Sequence, residues 1–137
     1  MNQPHPFLVV FEPVHARFVR LTILGVTRGE AVSLRAVTVY APGSTENLAS
    51  SARGARVTVS STIAGDPAAL ISGQEASSPW RAATSGPEWV EIELPEVALV
   101  DAIAFQTDNT TGEPSSYRVD VGFRPLSAIG SWGTQMV

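Results

Sequence analysis

Alternation of apolar and polar residues with a period of two is the feature that most constrains the fold of this chain. Residues 18–23 (FVRLTI), 89–94 (WVEIEL) and 117–121 (YRVDV) all show it. Successive side chains of a β-strand point to opposite faces of the sheet, so this spacing predicts half-buried strands. In the second of these segments we expect Glu91 and Glu93 to be solvated charges on the outer face.

Further strand candidates are rich in β-branched and aromatic residues and are mostly bounded by Pro or Gly: residues 7–11, 34–40, 56–60, 100–107 and 133–137. Only residues 67–72 predict a helical turn, with Pro67 at its first position. Many short strands without intervening helices predict an antiparallel sandwich or barrel. With 137 residues, the chain is expected to form a single domain over residues 1–137, with a loose terminus at residues 1–5.

Composition argues against several classes of function. The chain has no Cys and a formal net charge of −4, so it lacks thiolate chemistry and the basic face that nucleic-acid binding needs. No apolar run is long enough to span a membrane, no loop pairs apolar spikes with basic residues, and no signal peptide is expected in this chain. No catalytic motif is present. We therefore expect a protein that is not an enzyme and binds neither nucleic acid nor membrane.

Several segments resemble the discoidin superfamily, also called coagulation factor 5/8 type C or galactose-binding-like domains. They match the family from its opening to its "YKIEVSDDGSW" region, in the family's own order: residues 47–49 (NLA), 55–62 (ARVTVSST), 66–73 (DPAALISG), Trp80, 87–94 (PEWVEIEL), 116–121 (SYRVDV) and 130–132 (GSW). Residues 87–94 are similar to the family's "PQWIEVDL" strand. The resemblance implies an antiparallel jelly-roll β-sandwich in which Trp80 and Trp89 are core or sheet-packing residues.

The family's last two strands are found at the front of the chain. Residues 11–24 (FEPVHARFVRLTIL) are similar to "FEPVTARYVRLTV", and residues 33–40 (SLRAVTVY) to "SLAEIEVY". The rotated order is interpreted as a circular permutation, and a cut across two tandem domains is the alternative. Permutation is favoured because one complete set of strands closes a single core. Arg17 and Arg20 match the family's "RYVR" motif and are expected to pair with carboxylates or carbonyls along the sheet.

The resemblance implies a non-catalytic carbohydrate-binding module of a larger secreted or surface enzyme, because bacterial relatives often have that role. The alternative is a protein-interaction or structural β-sandwich module without a glycan site. The expected partner is accordingly a weakly bound glycan or a neighbouring protein domain, and the chain is expected to be a monomer. As part of a larger protein it would be extracellular or at the cell surface.

Candidate ligand-binding residues lie on loops at one end of the sandwich. Asp108, Asn109 and Thr110 supply a carboxylate, an amide and a hydroxyl after the strand that carries the family's polar sugar contacts. Trp132 is the candidate stacking platform, since sugar recognition pairs an aromatic ring with polar groups.

The calcium site that is common in the family is expected to be lost, and no cofactor or metal is predicted. Ser72 and Ala36 stand where the family has an Asp and a Glu, and Gln74 replaces a further acid. Because Ca²⁺ requires six to eight oxygen ligands, with carboxylates supplying the charge, these replacements remove much of the affinity.

Overall fold

The computed structural model describes residues 6–26, 31–72, 79–107, 114–124 and 133–136, and over these ranges the protein is mostly antiparallel β-sheet with little helix. The strands are β1 (Pro6–Val26), β2 (Ser33–Tyr40), β3 (Arg56–Val59), β4 (Trp80–Arg81), β5 (Glu88–Thr107), β6 (Pro114–Gly122) and β7 (Gly133–Met136). Two short 3-10 helices, Ser51–Arg53 and Pro67–Ile71, are the helical elements of the described ranges. The all-β class predicted from the sequence is confirmed.

All strand pairs are antiparallel, in the order β4-β2-β5-β1-β6-β7, with β3 also beside β5. The sheet has two halves, and the two long strands, β1 and β5, run through both of them. In the five-strand half, residues 18–26 of β1 pair with β6, and residues 88–94 of β5 lie beside β3. Strand β7 continues the sheet beyond β6. In the four-strand half, residues 6–16 of β1 and 98–107 of β5 pair with each other and continue into β2 and β4.

Each long strand joins two segments that the sequence predicts as separate strands. Pro13 of β1 and Pro95 of β5 lie where the pairing slips, between Val10 and Val14 and opposite the step from Ala16 to Phe18. Proline has no N–H to give to a ladder and is tolerated at such irregular points. The chain therefore stays extended through both prolines while the regular ladder is interrupted.

An aromatic cluster shows that the two halves pack against each other. Tyr117 of β6 pairs with Ile23, at the far end of β1 from Phe7, and the residues between Phe7 and Ile23 would span about 50 Å in a straight strand. The ring centroid of Tyr117 is nevertheless only 6.1 Å from that of Phe7 and 5.3 Å from that of Phe105. Strand β1 must therefore turn back on itself, which gives the protein its β-sandwich-like character.

The buried side chains of both halves belong to a single hydrophobic cluster, which includes Val19, Leu21 and Ile23 from one half and Val37 and Val39 from the other. The inward face predicted from the period-two pattern is thus confirmed. The largest fully buried side chain is that of Trp80, as predicted. Its indole N–H lies 3.1 Å from the carbonyl oxygen of Ser61 and 3.0 Å from the hydroxyl of Thr62, so its polar atom is also satisfied.

The predicted helical turn is confirmed as the 3-10 helix Pro67–Ile71. The carboxylate of Asp66 accepts a hydrogen bond from the backbone N–H of Ala68 at 3.0 Å and so caps the first turn. The proline at the start of the helix has the φ value that the turn requires and gives up an N–H that would otherwise lack a partner. Leu70 and Ile71 then reach the core from this turn.

Candidate functional site

The outer face of the four-strand half presents apolar side chains to solvent. Leu8 and Val10 of β1 are 62% and 64% exposed. They lie opposite Ala104 and Ala102 of β5, whose small side chains leave space above the sheet. Residues 7–11 read FLVVF, so both faces of this part of β1 are apolar. One face packs into the core, and the other is free to meet a ligand.

A tight turn after β2 forms a wall beside this face. Tyr40 lies opposite Ala102 on the far side of β5. The chain then turns through Gly43, whose φ of 71° is in the left-handed region that favours glycine. The backbone N–H of Ser44 donates a hydrogen bond to the carbonyl of Ala41 at 3.1 Å and closes the turn. The wall is therefore positioned by backbone geometry that the local sequence specifies.

The apolar face of β1 and β5 forms the floor of an open groove of about 540 Å³, and the turn after β2 forms its wall. Leu8, Val10 and Tyr40 are the large apolar residues of its lining, and Asp101, Ser44 and Thr45 are the polar ones. This size lies within the range of about 300 to 1,000 Å³ that ligand sites occupy. The groove is suited to an apolar group, with a small number of directional polar contacts at its side.

Strand β1 also offers an unpaired edge next to the groove. Residues 18–23 have β5 on one side and β6 on the other, whereas residues 6–16 pair with β5 alone within the described ranges. The outer edge of Pro6 to Ala16 thus faces away from every other described strand. Such an edge carries backbone N–H and C=O groups that another strand can use.

A row of charged side chains crosses the outer face of the five-strand half. Arg20 donates through Nε to Oε1 of Glu91 at 3.1 Å, its Nη2 lies 2.9 Å from the same oxygen, and its guanidinium carbon lies 3.7 Å from the ring centroid of Trp89. On β6, Arg118 Nε donates to Oδ2 of Asp120 at 3.1 Å. The predicted structural role of Arg20 is confirmed, and one face of the Trp89 ring is covered by a cation and is not open for stacking on a sugar.

The expectation that Glu91 is a solvated charge is wrong. Its exposure is only 7%, close to that of its partner Arg20 at 9%. The neighbouring pair fits the expectation better: Arg17 Nη2 lies 3.1 Å from Oε2 of Glu93, with 42% and 32% of the two side chains exposed. Alternation correctly assigned Glu91 to the outer face but gave no sign that neighbouring side chains cover that face.

A buried carboxylate, that of Glu88, fixes the loops at one end of the five-strand half. It accepts hydrogen bonds from the hydroxyls of Ser60, Ser61 and Thr84, with the last two at 2.8 and 2.6 Å. Burial alone raises the pKa of Glu88, but these hydrogen bonds together outweigh burial and hold the pKa below its ordinary value of 4.5. The group is ionised at neutral pH and stabilises the loops.

The predicted ligand-binding residues Asp108, Asn109, Thr110 and Trp132 lie outside the described residues. Thr107, which precedes them in the sequence, is fully buried, and its hydroxyl has no hydrogen-bond partner within the described ranges. Among the described residues, no three His, Asp or Glu side chains come together in a way that could hold a metal ion.

The groove was not predicted from the sequence, although a signal for it was present. Five consecutive apolar residues, 7–11, break the period-two alternation seen elsewhere. In a strand, such a run places apolar groups on both faces, so one set must be covered by a second layer or remain exposed. The sequence does not say which of these occurs, because that depends on what lies above the sheet.

Comparison with protein-family models, with curated proteins and with solved structures found no match. In the part of the chain that the structure describes, neither short helix has the length and apolar character needed to cross a membrane.

Proposed function

We propose that this chain is a non-catalytic protein-interaction module that binds an apolar segment of a partner in the groove of the four-strand half. The observation that supports this proposal is the exposure of Leu8 and Val10, at 62% and 64%. Large apolar side chains that are neighbours on one face of a strand and line a groove form a patch of the kind that marks interaction sites. Glycan sites, by contrast, depend on a larger share of polar groups.

The expected affinity follows from the area that a partner would cover. Full burial of one such side chain contributes about 1.5 to 3 kcal/mol, and more than half of Leu8 and Val10 remains to be buried, so each contributes about 1 to 2 kcal/mol. Contacts with Tyr40 add to this, and ordering of the partner subtracts from it. A dissociation constant on the order of 0.1 to 1 mM is therefore expected.

We further propose that the fold is a discoidin-like jelly roll whose strand order is circularly permuted. The supporting observation is that residues 18–23 pair with residues 88–93 within one sheet. At the proposed junction between the original ends, the side-chain oxygen of Asn47 accepts hydrogen bonds from the backbone N–H groups of Val39 and Ala49, at 3.1 and 2.9 Å. The junction is thus fastened to β2.

Glycan binding is the second candidate function, and one feature of the groove favours it. Tyr40 lines the groove together with Asp101, Ser44 and Thr45, so an aromatic residue, an acidic residue and two hydroxyl-bearing residues border one space. This combination is the one that sugar recognition uses. The site predicted at Asp108, Asn109, Thr110 and Trp132 remains part of this second proposal, within a larger secreted or surface protein.

Selection from a displayed peptide library tests the leading proposal. The wild-type chain is expected to enrich extended peptides with apolar residues at alternate positions, and Val10→Lys is expected to lose them. Ile63→Lys is a matched control, because Ile63 is 62% exposed and does not line the groove. Failure to enrich any peptide, or retention of the selected peptides by Val10→Lys, would contradict the proposed function.

A glycan array on the wild type, Tyr40→Ala and Asn109→Ala tests the second candidate. Binding that is lost in Tyr40→Ala would place a glycan in the groove. Binding that survives Tyr40→Ala but is lost in Asn109→Ala would place it on the predicted loop. No binding by the wild type at millimolar glycan would remove this candidate.

A further inference from the structure

The open edge of β1 is continuous with the floor of the groove, and this bears on what the partner is. Leu8 and Val10 lie on the edge strand itself, so a strand added there would lie alongside both side chains. The added strand would bond to the backbone of the first part of this edge, before Pro13, and pack its own side chains above the same sheet face. The best occupant is therefore an extended strand whose exposed face is apolar.

We infer that the partner is a second copy of this chain, which pairs its own β1 with this β1 about a twofold axis at Val9. This inference rests on the proposed function, names the partner and extends its contact from the groove to the adjoining edge of β1. In antiparallel pairing about that axis, Leu8 of each copy lies opposite Val10 of the other, and Phe7 lies opposite Phe11. The segment FLVVF is thus complementary to itself, as a twofold interface requires.

Charge supports this register. Residues 7–11 carry no ionisable side chain, so the pairing places no like charges opposite each other. Glu12, the first charged residue after the segment, lies opposite Pro6 of the second copy. With the axis at Val9, the exposed side chains of Leu8 and Val10 both lie within the paired segment.

The same strand limits the length of the contact. Pro13 has no N–H for a ladder, and the regular register of β1 ends between Val10 and Val14. The paired segment is consequently short, and the interface is small by the standards of permanent dimers, which bury about 2,000 Å² or more. The dimer is therefore reversible and forms only at high protein concentration.

Salt gives the interface a distinctive signature. Each copy has a formal net charge of −4, so two copies repel each other, while the contact itself is uncharged. Added salt screens the repulsion and leaves the apolar contact intact. Dimerisation is expected to strengthen with salt, whereas an interface held by ion pairs would weaken.

Sedimentation equilibrium at increasing protein concentration provides the first test. The average mass of the wild type is expected to rise from that of one chain toward that of two, and to rise further in high salt. Ile63→Lys is expected to behave like the wild type, and Val10→Lys is expected to remain a monomer with an unchanged circular dichroism spectrum. A wild type that stays monomeric at all concentrations, or a Val10→Lys variant that still dimerises, would overturn the inference.

Disulfide trapping tests the register independently, because the chain has no Cys. Directly opposite side chains have Cβ atoms about 4.5 to 5.5 Å apart, whereas diagonal neighbours are about 7 Å apart. In an oxidised glutathione buffer, a mixture of Leu8→Cys and Val10→Cys chains is therefore expected to cross-link several-fold faster than either variant alone. Equal rates in the mixture, in each single variant and in Ile63→Cys would refute the twofold pairing.

These outcomes separate the inference from the proposed function. If the chain is monomeric but selected peptides still bind and are lost in Val10→Lys, the interaction module stands and the second copy is not its partner. If neither peptides nor a second copy bind, both proposals fail.

Discussion

Two arginine–glutamate pairs on the same two strands differ in burial, and they provide the sharpest test of the energetics of this sheet. Arg20 and Glu91 are 10% and 8% exposed in their side chains. Arg17 and Glu93 lie close by on β1 and β5, with 42% and 32% exposed. The perturbation is neutralisation of each carboxylate without change of size, by Glu91→Gln and by Glu93→Gln.

The two substitutions are expected to differ several-fold in cost. Removal of one partner from a buried pair leaves an uncompensated charge in a poorly hydrated place and costs about 3 to 5 kcal/mol. The ring of Trp89, 3.7 Å from the guanidinium carbon of Arg20, offsets part of this, since a cation over an aromatic ring contributes about 0.5 to 2 kcal/mol. We expect about 3 kcal/mol for Glu91→Gln. Glu93→Gln is expected to cost about 0.2 to 1 kcal/mol, the usual value for an exposed pair.

Urea unfolding followed by tryptophan fluorescence, with thermal unfolding beside it, measures both costs. For a domain of this size, about 3 kcal/mol corresponds to a fall of roughly 10 °C in the midpoint. The double variant Arg20→Met with Glu91→Leu removes both charges and is expected to recover much of the loss, because apolar replacement of a buried pair is often nearly neutral. Equal losses for Glu91→Gln and Glu93→Gln, or a double variant as unstable as the sum of its single changes, would refute this reasoning.

Four further outcomes are expected. Since the folded-state pKa of Glu88 lies below 4.5, the stability that its ionised form contributes is present above pH 4.5 and is lost as the pH falls through the folded-state pKa. The free energy of unfolding measured in urea should therefore fall less steeply with decreasing pH for Glu88→Gln than for the wild type. Gly65→Ala should destabilise more than Gly43→Ala in thermal unfolding: both glycines have positive φ, but only at Gly65 would a Cβ overlap the backbone of Pro79. Phe105→Ala should lower the free energy of unfolding, measured by urea titration, by about 3 to 5 kcal/mol, because it removes the central ring of the aromatic cluster. A chelator should change the thermal midpoint by no more than about a degree, since a weak calcium site adds little stability.

The strands and their inward faces could be predicted from the sequence because they depend on local alternation. The inward positions of residues 19, 21 and 23 and the turn at Pro67 follow from rules that act over a few residues. The continuity of β1 and β5 could not be predicted. Proline usually ends a strand, and only the partner strands show that Pro13 and Pro95 lie at slips in the pairing.

The candidate site was less predictable than the fold. Alternation assigned Glu91 to the outer face but did not show its burial against Arg20, because cover on that face comes from residues distant in the chain. The groove also depends on tertiary structure: its floor comes from β1 and β5 and its wall from the turn after β2. No local pattern reports that these three parts meet.

The pairing of β1 with β5 also has a consequence for the chain during its synthesis. Pro6 pairs with Gln106, one hundred residues further along. At typical translation rates of about 5 to 20 residues per second, the first part of β1 emerges roughly 5 to 20 seconds before the strand that pairs with it. For that interval FLVVF has no place in a sheet, and nascent chains on neighbouring ribosomes present the same apolar segment to one another. Slower translation lengthens the interval, so conditions that slow synthesis are expected to increase the dependence of this protein on chaperones that hold nascent chains.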